Sequence, residues 1–255
     1  MADRTAIAPG TISWVDLASD DMEATKAFYA GVFGWTAHVT PDPQYGGYTM
    51  FKKDGKEVAA AAPKMSPEQP EQWATYVSVE DARATAAKAA DAGGRVLMEP
   101  MEIPQSGTMA VLMDPTGAVI SLWQPGERKG AELLGAPGSV GWNELSTRDV
   151  PAATRFYQAV FGWEPHVTGK GADAYTEFKI GGRHIAGMVN MDDKGLPKEV
   201  PPHWLPYFTV ADCRVTAARA AELGGQVRME PTKIAEGTFA VITDPRGAAF
   251  AIIAQ

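Results

Sequence analysis

The sequence is poor in the residues that would tie it to several large classes of function. It has one cysteine, Cys213, so no internal disulfide can form and a disulfide scaffold is excluded. It has only four histidines, His38, His166, His184 and His203, a thin supply for a metalloenzyme. No apolar run approaches the length of a membrane span, and the N-terminal MADRTAIAPG has no apolar stretch of the kind a secretory leader carries. Lys/Arg runs are absent and the net charge is −8, so no nucleic-acid partner and no membrane are expected. A cytoplasmic location is the expectation that follows. What remains is ordinary globular composition, 45% hydrophobic and 21% charged, spread over 255 residues, enough for two modest domains with cores of their own.

The chain repeats itself at a period of about 128 residues, far too long for a solenoid. ISWVDLASDDMEATKAFYAGVFGW from Ile12 returns as VGWNELSTRDVPAATRFYQAVFGW from Val140. WATYVSVEDARATAAKAADAGGRVLMEP from Trp73 returns as WLPYFTVADCRVTAARAAELGGQVRMEP from Trp204. AVLMDPTGAVISL from Ala110 returns as AVITDPRGAAFAI from Ala240. The repeat predicts one domain over 1–126, a Gly- and Pro-rich linker over 127–138 and a second domain over 139–255.

Each half has an inner repeat of strand, helix and three strands. Residues 12–18 alternate as a strand, Asp20 or Asp21 caps a helix over 22–33, and strands follow near 35–40, 47–52 and 57–62. The pattern restarts with a strand over 74–79, a helix capped by Asp81 and closed by Gly93-Gly94, and strands near 95–98, 108–113 and 118–123. Asp114-Pro115-Thr116-Gly117 turns the last hairpin, and Asp149 and Asp212 cap the helices of the second half. The fold class is therefore α+β, two tandem domains, each (βαβββ)₂.

This arrangement, with the FY…VFGW helix end and the DPxG hairpin, resembles the vicinal oxygen chelate superfamily of glyoxalases, bleomycin-resistance proteins and dioxygenases. More narrowly it resembles two-domain actinobacterial glyoxalase-like proteins, a group that includes a mycobacterial culture-filtrate antigen. The resemblance implies an open, barrel-like cup in each half, helices outside, and a ligand on the concave face. In family enzymes that cup holds a divalent metal on His, Gln and Glu side chains.

Here those positions carry other residues. The first ligand lies seven residues before the first N-cap, at Trp14 and Trp142. The matching place before the second helix is Ala74 and Leu205. The last-strand position, four residues after the Gly of DPxG, is Ser121 and Ala251, and the same offset on the fourth strand gives Ala59 and Ala186. Indole and alkyl groups do not bind divalent ions, so no metal of the family type and no other cofactor is expected.

Strand alternation then assigns the concave faces. Trp14 and Asp16, Tyr76, Ser121 and Trp123 share the first cup; Trp142, Glu144 and Tyr207 share the second. The set fits a planar or aromatic small molecule, stacked on indole and oriented by carboxylate and phenol. The competing expectation is that the indoles plug disused cups. If chemistry occurs, Asp16 and Glu144 are the candidate general bases, for a lyase, isomerase or hydroxylase, with Glu144 plus His166 or His184 as a relocated metal site. His38 and His166, in FGW-x-x-H, are expected to make structural hydrogen bonds. Cys213 sits at a helix N-terminus, where the dipole could lower its pKa, although Ala82 at the matching place favours packing. Trp73 and Trp204 are expected against helices or the partner domain. The chain is expected as a monomer or homodimer.

Overall fold

The computed structural model describes residues 7–41 and 45–255. The first half runs β1 (Ile12–Ser19), α1 (Met22–Phe33), β2 (Thr36–Val39), β3 (Thr49–Lys53), β4 (Lys56–Pro63), β5 (Gln72–Ser78), α2 (Ala82–Asp91), β6 (Arg95–Ile103), β7 (Gly107–Met113) and β8 (Val119–Pro125). The second half repeats it with β9 (Val140–Thr147), α3 (Val150–Phe161), β10 (Glu164–Thr168), β11 (Tyr175–Ile180), β12 (Arg183–Asn190), β13 (His203–Thr209), α4 (Cys213–Glu222), β14 (Gln226–Ile234), β15 (Gly237–Thr243) and β16 (Ala249–Ala254).

Each half builds its own eight-stranded sheet, in the orders β2-β3-β4-β1-β5-β8-β7-β6 and β10-β11-β12-β9-β13-β16-β15-β14. Two modules meet at an antiparallel seam, β1 with β5 and β9 with β13. Within each module the flanking pair is parallel, as in β1 with β4 and β5 with β8. The sheets curl but do not close, so the concave face stays open at the edge strands.

The helices start where the sequence places them. Asp21, Asp81, Asp149 and Asp212 each accept backbone N–H groups of the first turn, satisfying donors that the helix itself leaves unpaired. Gly34 and Gly162 end α1 and α3 in the left-handed conformation, at φ 69° and 70°.

The helices lie outside the cups but inside the molecule. One core joins Val15, Leu17, Phe28, Tyr29, Phe33 and Trp73 of the first half to Phe208, Ala217, Phe250 and Ile252 of the second. The other joins Ala86, Leu112, Ile120 and Leu122 to Phe156, Tyr157, Trp163, Phe178 and Trp204. Thus the first module packs on the fourth and the second on the third.

Trp73 and Trp204 lie in these cores, as expected. Trp73 Nε1 donates to Tyr29 Oη at 3.0 Å, and Tyr29 donates across to Asp244 Oδ2 at 3.1 Å. Trp204 Nε1 donates to Tyr157 Oη at 2.9 Å, and Tyr157 donates to Asp114 Oδ2 at 2.9 Å. Cys213 also packs: it is 2% exposed, its Sγ donates to Thr238 O, and burial pushes the thiol pKa up rather than down. His38 Nε2 meets Thr36 Oγ1 at 3.4 Å, a local hydrogen bond of the expected kind, but neither His38 nor His166 is buried. They stand exposed on the edge strands β2 and β10, where the backbone is too peripheral to bury an imidazole.

Candidate functional site

On β1 the even-numbered residues turn to the concave side. Val15 and Leu17 are buried against α1, while Trp14 and Asp16 keep partial exposure. Cross-strand register sets Tyr76 opposite Trp14, and parallel pairing sets Ser121 beside Tyr76. Trp123 pairs with Ser78 and with Met109. The five first-cup residues singled out by the sequence therefore share one face.

A sixth was missed. Tyr48, just ahead of β3, places its hydroxyl between Trp14 and Asp16: Trp14 Nε1 donates to Tyr48 Oη at 3.1 Å, and Tyr48 donates to Asp16 Oδ2 at 3.2 Å. Tyr76 donates to the same oxygen at 3.0 Å. Burial pushes the Asp16 carboxyl up from 3.8 to about 6, and the hydrogen bonds from Tyr76 and Tyr48 only partly offset this. Burial beside that carboxylate also pushes both phenols well above their ordinary range.

The second cup repeats the relay. Trp142 Nε1 donates to Tyr175 Oη at 2.9 Å, and Tyr207 donates to Glu144 Oε1 at 3.0 Å. Burial raises the Glu144 pKa; hydrogen bonds from Tyr207 and Tyr175 and the charge of Lys194 pull it back. Tyr175 is the counterpart of Tyr48, and the signal was in the repeat: YTMFKK from Tyr48 matches YTEFKI from Tyr175.

The cups differ in their walls. Leu205, Tyr207, Ala251 and Ile253 form a buried apolar cluster with Trp142 and Phe239 in the second cup. Their counterparts in the first are Ala74, Tyr76, Ser121, Trp123, Trp14 and Met109. The second cup is therefore filled more by its own side chains.

The fourth-strand positions need correction. Ala59 and Ala186 are fully buried on the helix side. Ala60 and Gly187 are the residues registered with Asp16 and Glu144. Irregular pairing at Phe51/Lys52 and at Phe178/Lys179 shifts the face by one residue.

The family's divalent ion does not fit these residues. The indole nitrogens of Trp14 and Trp142 are hydrogen-bond donors with no lone pair to offer. The positions that remain supply one hydroxyl, Ser121. His184 faces Glu177 at 3.2 Å rather than Glu144. Among the described residues, no three His, Cys, Asp or Glu side chains come together as a candidate metal centre. Also among the described residues, no helix is long and apolar enough to cross a membrane.

Paired βαβββ modules, curled sheets and a concave polar cluster in each half define a tandem-domain protein of the glyoxalase type. The chain belongs to the Glyoxalase/Bleomycin resistance protein/Dioxygenase superfamily, whose sequence model matches residues 11–122 and 134–252. It is 42% identical to the anthracycline biosynthesis protein DnrV of Streptomyces peucetius, over 98% of this chain and 94% of that protein. It is 40% identical to CFP32 of Mycobacterium bovis, named as a proposed glyoxylase, over 99% and 98% of the two chains. Solved structures share the fold at lower identity. A Mn(II)-bound glyoxalase from Novosphingobium aromaticivorans superposes with a TM-score of 0.69 at 20% identity, over 96% of this chain and 82% of that one. BphC, a halotolerant catechol dioxygenase, gives 0.68 at 14% identity, over 98% and 88%.

Proposed function

We propose that the protein binds a planar, aromatic small molecule in its indole-lined cups. The residues are Trp14, Asp16, Tyr48, Tyr76, Ser121 and Trp123 in the first cup and Trp142, Glu144, Tyr175 and Tyr207 in the second. One observation carries the reading. The relay of indole, phenol and carboxylate recurs in both halves, built on Asp16 in one and Glu144 in the other. Core filler has no need of an acid, and burial still raises both carboxyls despite their phenol partners, a cost that an apolar side chain would not carry. An aromatic ring stacked on indole, with a polar substituent reaching the acid, suits this surface. The name of the Streptomyces relative supports the same class, since anthracyclines are planar fused-ring molecules. The single buried thiol, Cys213, is compatible with the cytoplasm as the place of action.

The test is a titration of intrinsic tryptophan fluorescence with an anthraquinone probe, read beside native mass spectrometry. Saturable quenching that weakens at least severalfold in Trp14→Phe supports the reading. No complex at millimolar probe would end it.

A second reading rests on the Asp16 carboxyl at about 6, a value suited to a general base near neutral pH. Proton abstraction beside a carbonyl is the reaction class such a group serves. Turnover of a bound ketone that survives Asp16→Asn and Glu144→Gln unchanged would remove this reading.

A further inference from the structure

Residues 126–132, between the two sheets, form a strap along one end of the first cup. Gly126 and Arg128 donate their backbone N–H groups to Ser106 O, and Glu127 donates to Gln105 O. Ala131 donates to Ser13 O and Glu132 to Glu57 O, so the strap is tied to β7's hairpin on one side and to β1 and β4 on the other. Trp123, on the concave face, donates its indole N–H to Arg128 O at 2.9 Å. From that anchored carbonyl the Arg128 side chain turns back over the cup. Its Nη1 lies 3.9 Å from Met50 Sδ and 2.6 Å from Glu57 Oε2. Met50 pairs with Ala60, which in turn is registered with Asp16. The guanidinium thus stands at the rim of the cup, half exposed, and its positive charge is felt at the Tyr48 phenol.

Glu57 is shared between Arg128 and Lys52, at 2.6 and 3.8 Å, and its backbone N–H donates to the Glu132 carboxylate at 2.7 Å. Among the described residues only Nη1 of the guanidinium makes hydrogen bonds, which leaves its other N–H groups as donors for a ligand at the rim. The second cup has an acid at the place of Met50. The repeat puts Glu177 where the first half has Met50, with Lys179 at 3.7 Å and His184 at 3.2 Å.

Resting on the ligand-binding reading above, we infer that the first cup selects a planar ligand carrying an anionic oxygen, a carboxylate or ionised phenol, and that Arg128 is the residue that sets this preference. The aromatic part lies between Trp14 and Trp123, and the anionic group meets the guanidinium at the rim. Arginine suits this task because its planar fork donates to two oxygens at once. The second cup, with Glu177 at the corresponding place, does not share the preference.

The test compares 2-naphthoate with 2-naphthamide, which match in shape and differ in charge. Binding is followed by 19F NMR of protein labelled with 5-fluorotryptophan, each indole assigned by its Trp→Phe variant. The expected result is that 2-naphthoate shifts Trp14 and Trp123 ahead of Trp142 and binds roughly fivefold to tenfold tighter than the amide. Arg128→Gln should erase that ratio by weakening the acid alone, while Arg128→Lys keeps most of it. The strap is held by backbone hydrogen bonds, so both variants keep its path. Equal binding of acid and amide, or a ratio that survives Arg128→Gln, overturns this inference and leaves the binding reading standing. If neither probe moves any indole at millimolar concentration, both fall together.

Discussion

At the residue scale the two relays are alike in chemistry but not in clearance. Gly187 lies under the Tyr175 hydroxyl, and a Cβ there would overlap that oxygen and press on Trp142 Nε1. The first half has Ala60 at this place, so its relay already accommodates a methyl group. Gly187→Ala is therefore expected to push Tyr175 off Trp142 at a cost of about 1–3 kcal/mol. Thermal denaturation and the Trp142 emission band would both report it; an unchanged spectrum would mean that Tyr175 does not hold Trp142 in a tight relay.

Asp16 gives a pH prediction with a definite sign. Its carboxyl holds a proton more tightly in the folded chain, at about 6, than in the unfolded chain, near 3.8. Its contribution is complete below the lower value and is lost as pH rises through the upper one. Asp16→Asn should then raise unfolding free energy at pH 7.5 by on the order of 1–3 kcal/mol and leave it nearly unchanged at pH 3.5. Urea denaturation at the two pH values checks this, and an equal gain at both would contradict it. Asp16 and Glu144 were legible in the sequence because alternation on a strand needs only one anchor, here the buried Val15 and Leu17. The aromatic partner was not, because Tyr48 precedes its strand and reaches the cup from a loop.

At the scale of elements, caps and turns were the legible part. Four aspartates, the Gly-Gly stops and the DPxG turns are local chemistry, and local chemistry needs no knowledge of the partner. Register was legible only as far as the strands are regular. One irregularity after Phe51 and one after Phe178 exchanged Ala59 for Ala60 and Ala186 for Gly187 on the concave face. The partner of the FY pair was also hidden. Tyr29 reaches Asp244 across 215 residues of chain, and nothing in the spacing of α1 points to it. The two tyrosines tie α1 and α3 to the turn aspartate of the opposite half. Burial raises the Asp244 pKa, and the Tyr29 hydrogen bond is among those that lower it. Tyr29→Phe and Tyr157→Phe should each cost about 1–3 kcal/mol, because each leaves a buried carboxylate oxygen and an indole N–H short of a partner. The double variant should be close to additive, since the two relays lie in separate cores. Denaturation of the three variants tests both statements.

At the scale of the whole molecule, the duplication in the sequence suggests two domains that stand alone, and the packing shows otherwise. Each sheet belongs to one half, but each helical core is shared between halves. Trp35 donates its indole N–H to Gly138 O and Trp163 to Gly10 O, so the FGW tryptophans also reach out of their own half. Separating the halves would expose Phe28, Tyr29, Phe33, Phe156, Tyr157 and Trp163 together. That is a far larger apolar patch than a soluble monomer carries. Stability is therefore a property of the pair, and the chain should unfold in one transition although it contains two sheets. Fragments cut after Arg128 should behave as expanded, dye-binding states when made singly, and should regain near-ultraviolet circular dichroism when mixed. Calorimetry of the intact chain with matching calorimetric and van't Hoff enthalpies is the companion result. Two resolved transitions, or a first fragment that folds cooperatively alone, would show that the cross-half cores are weaker than their aromatic content indicates.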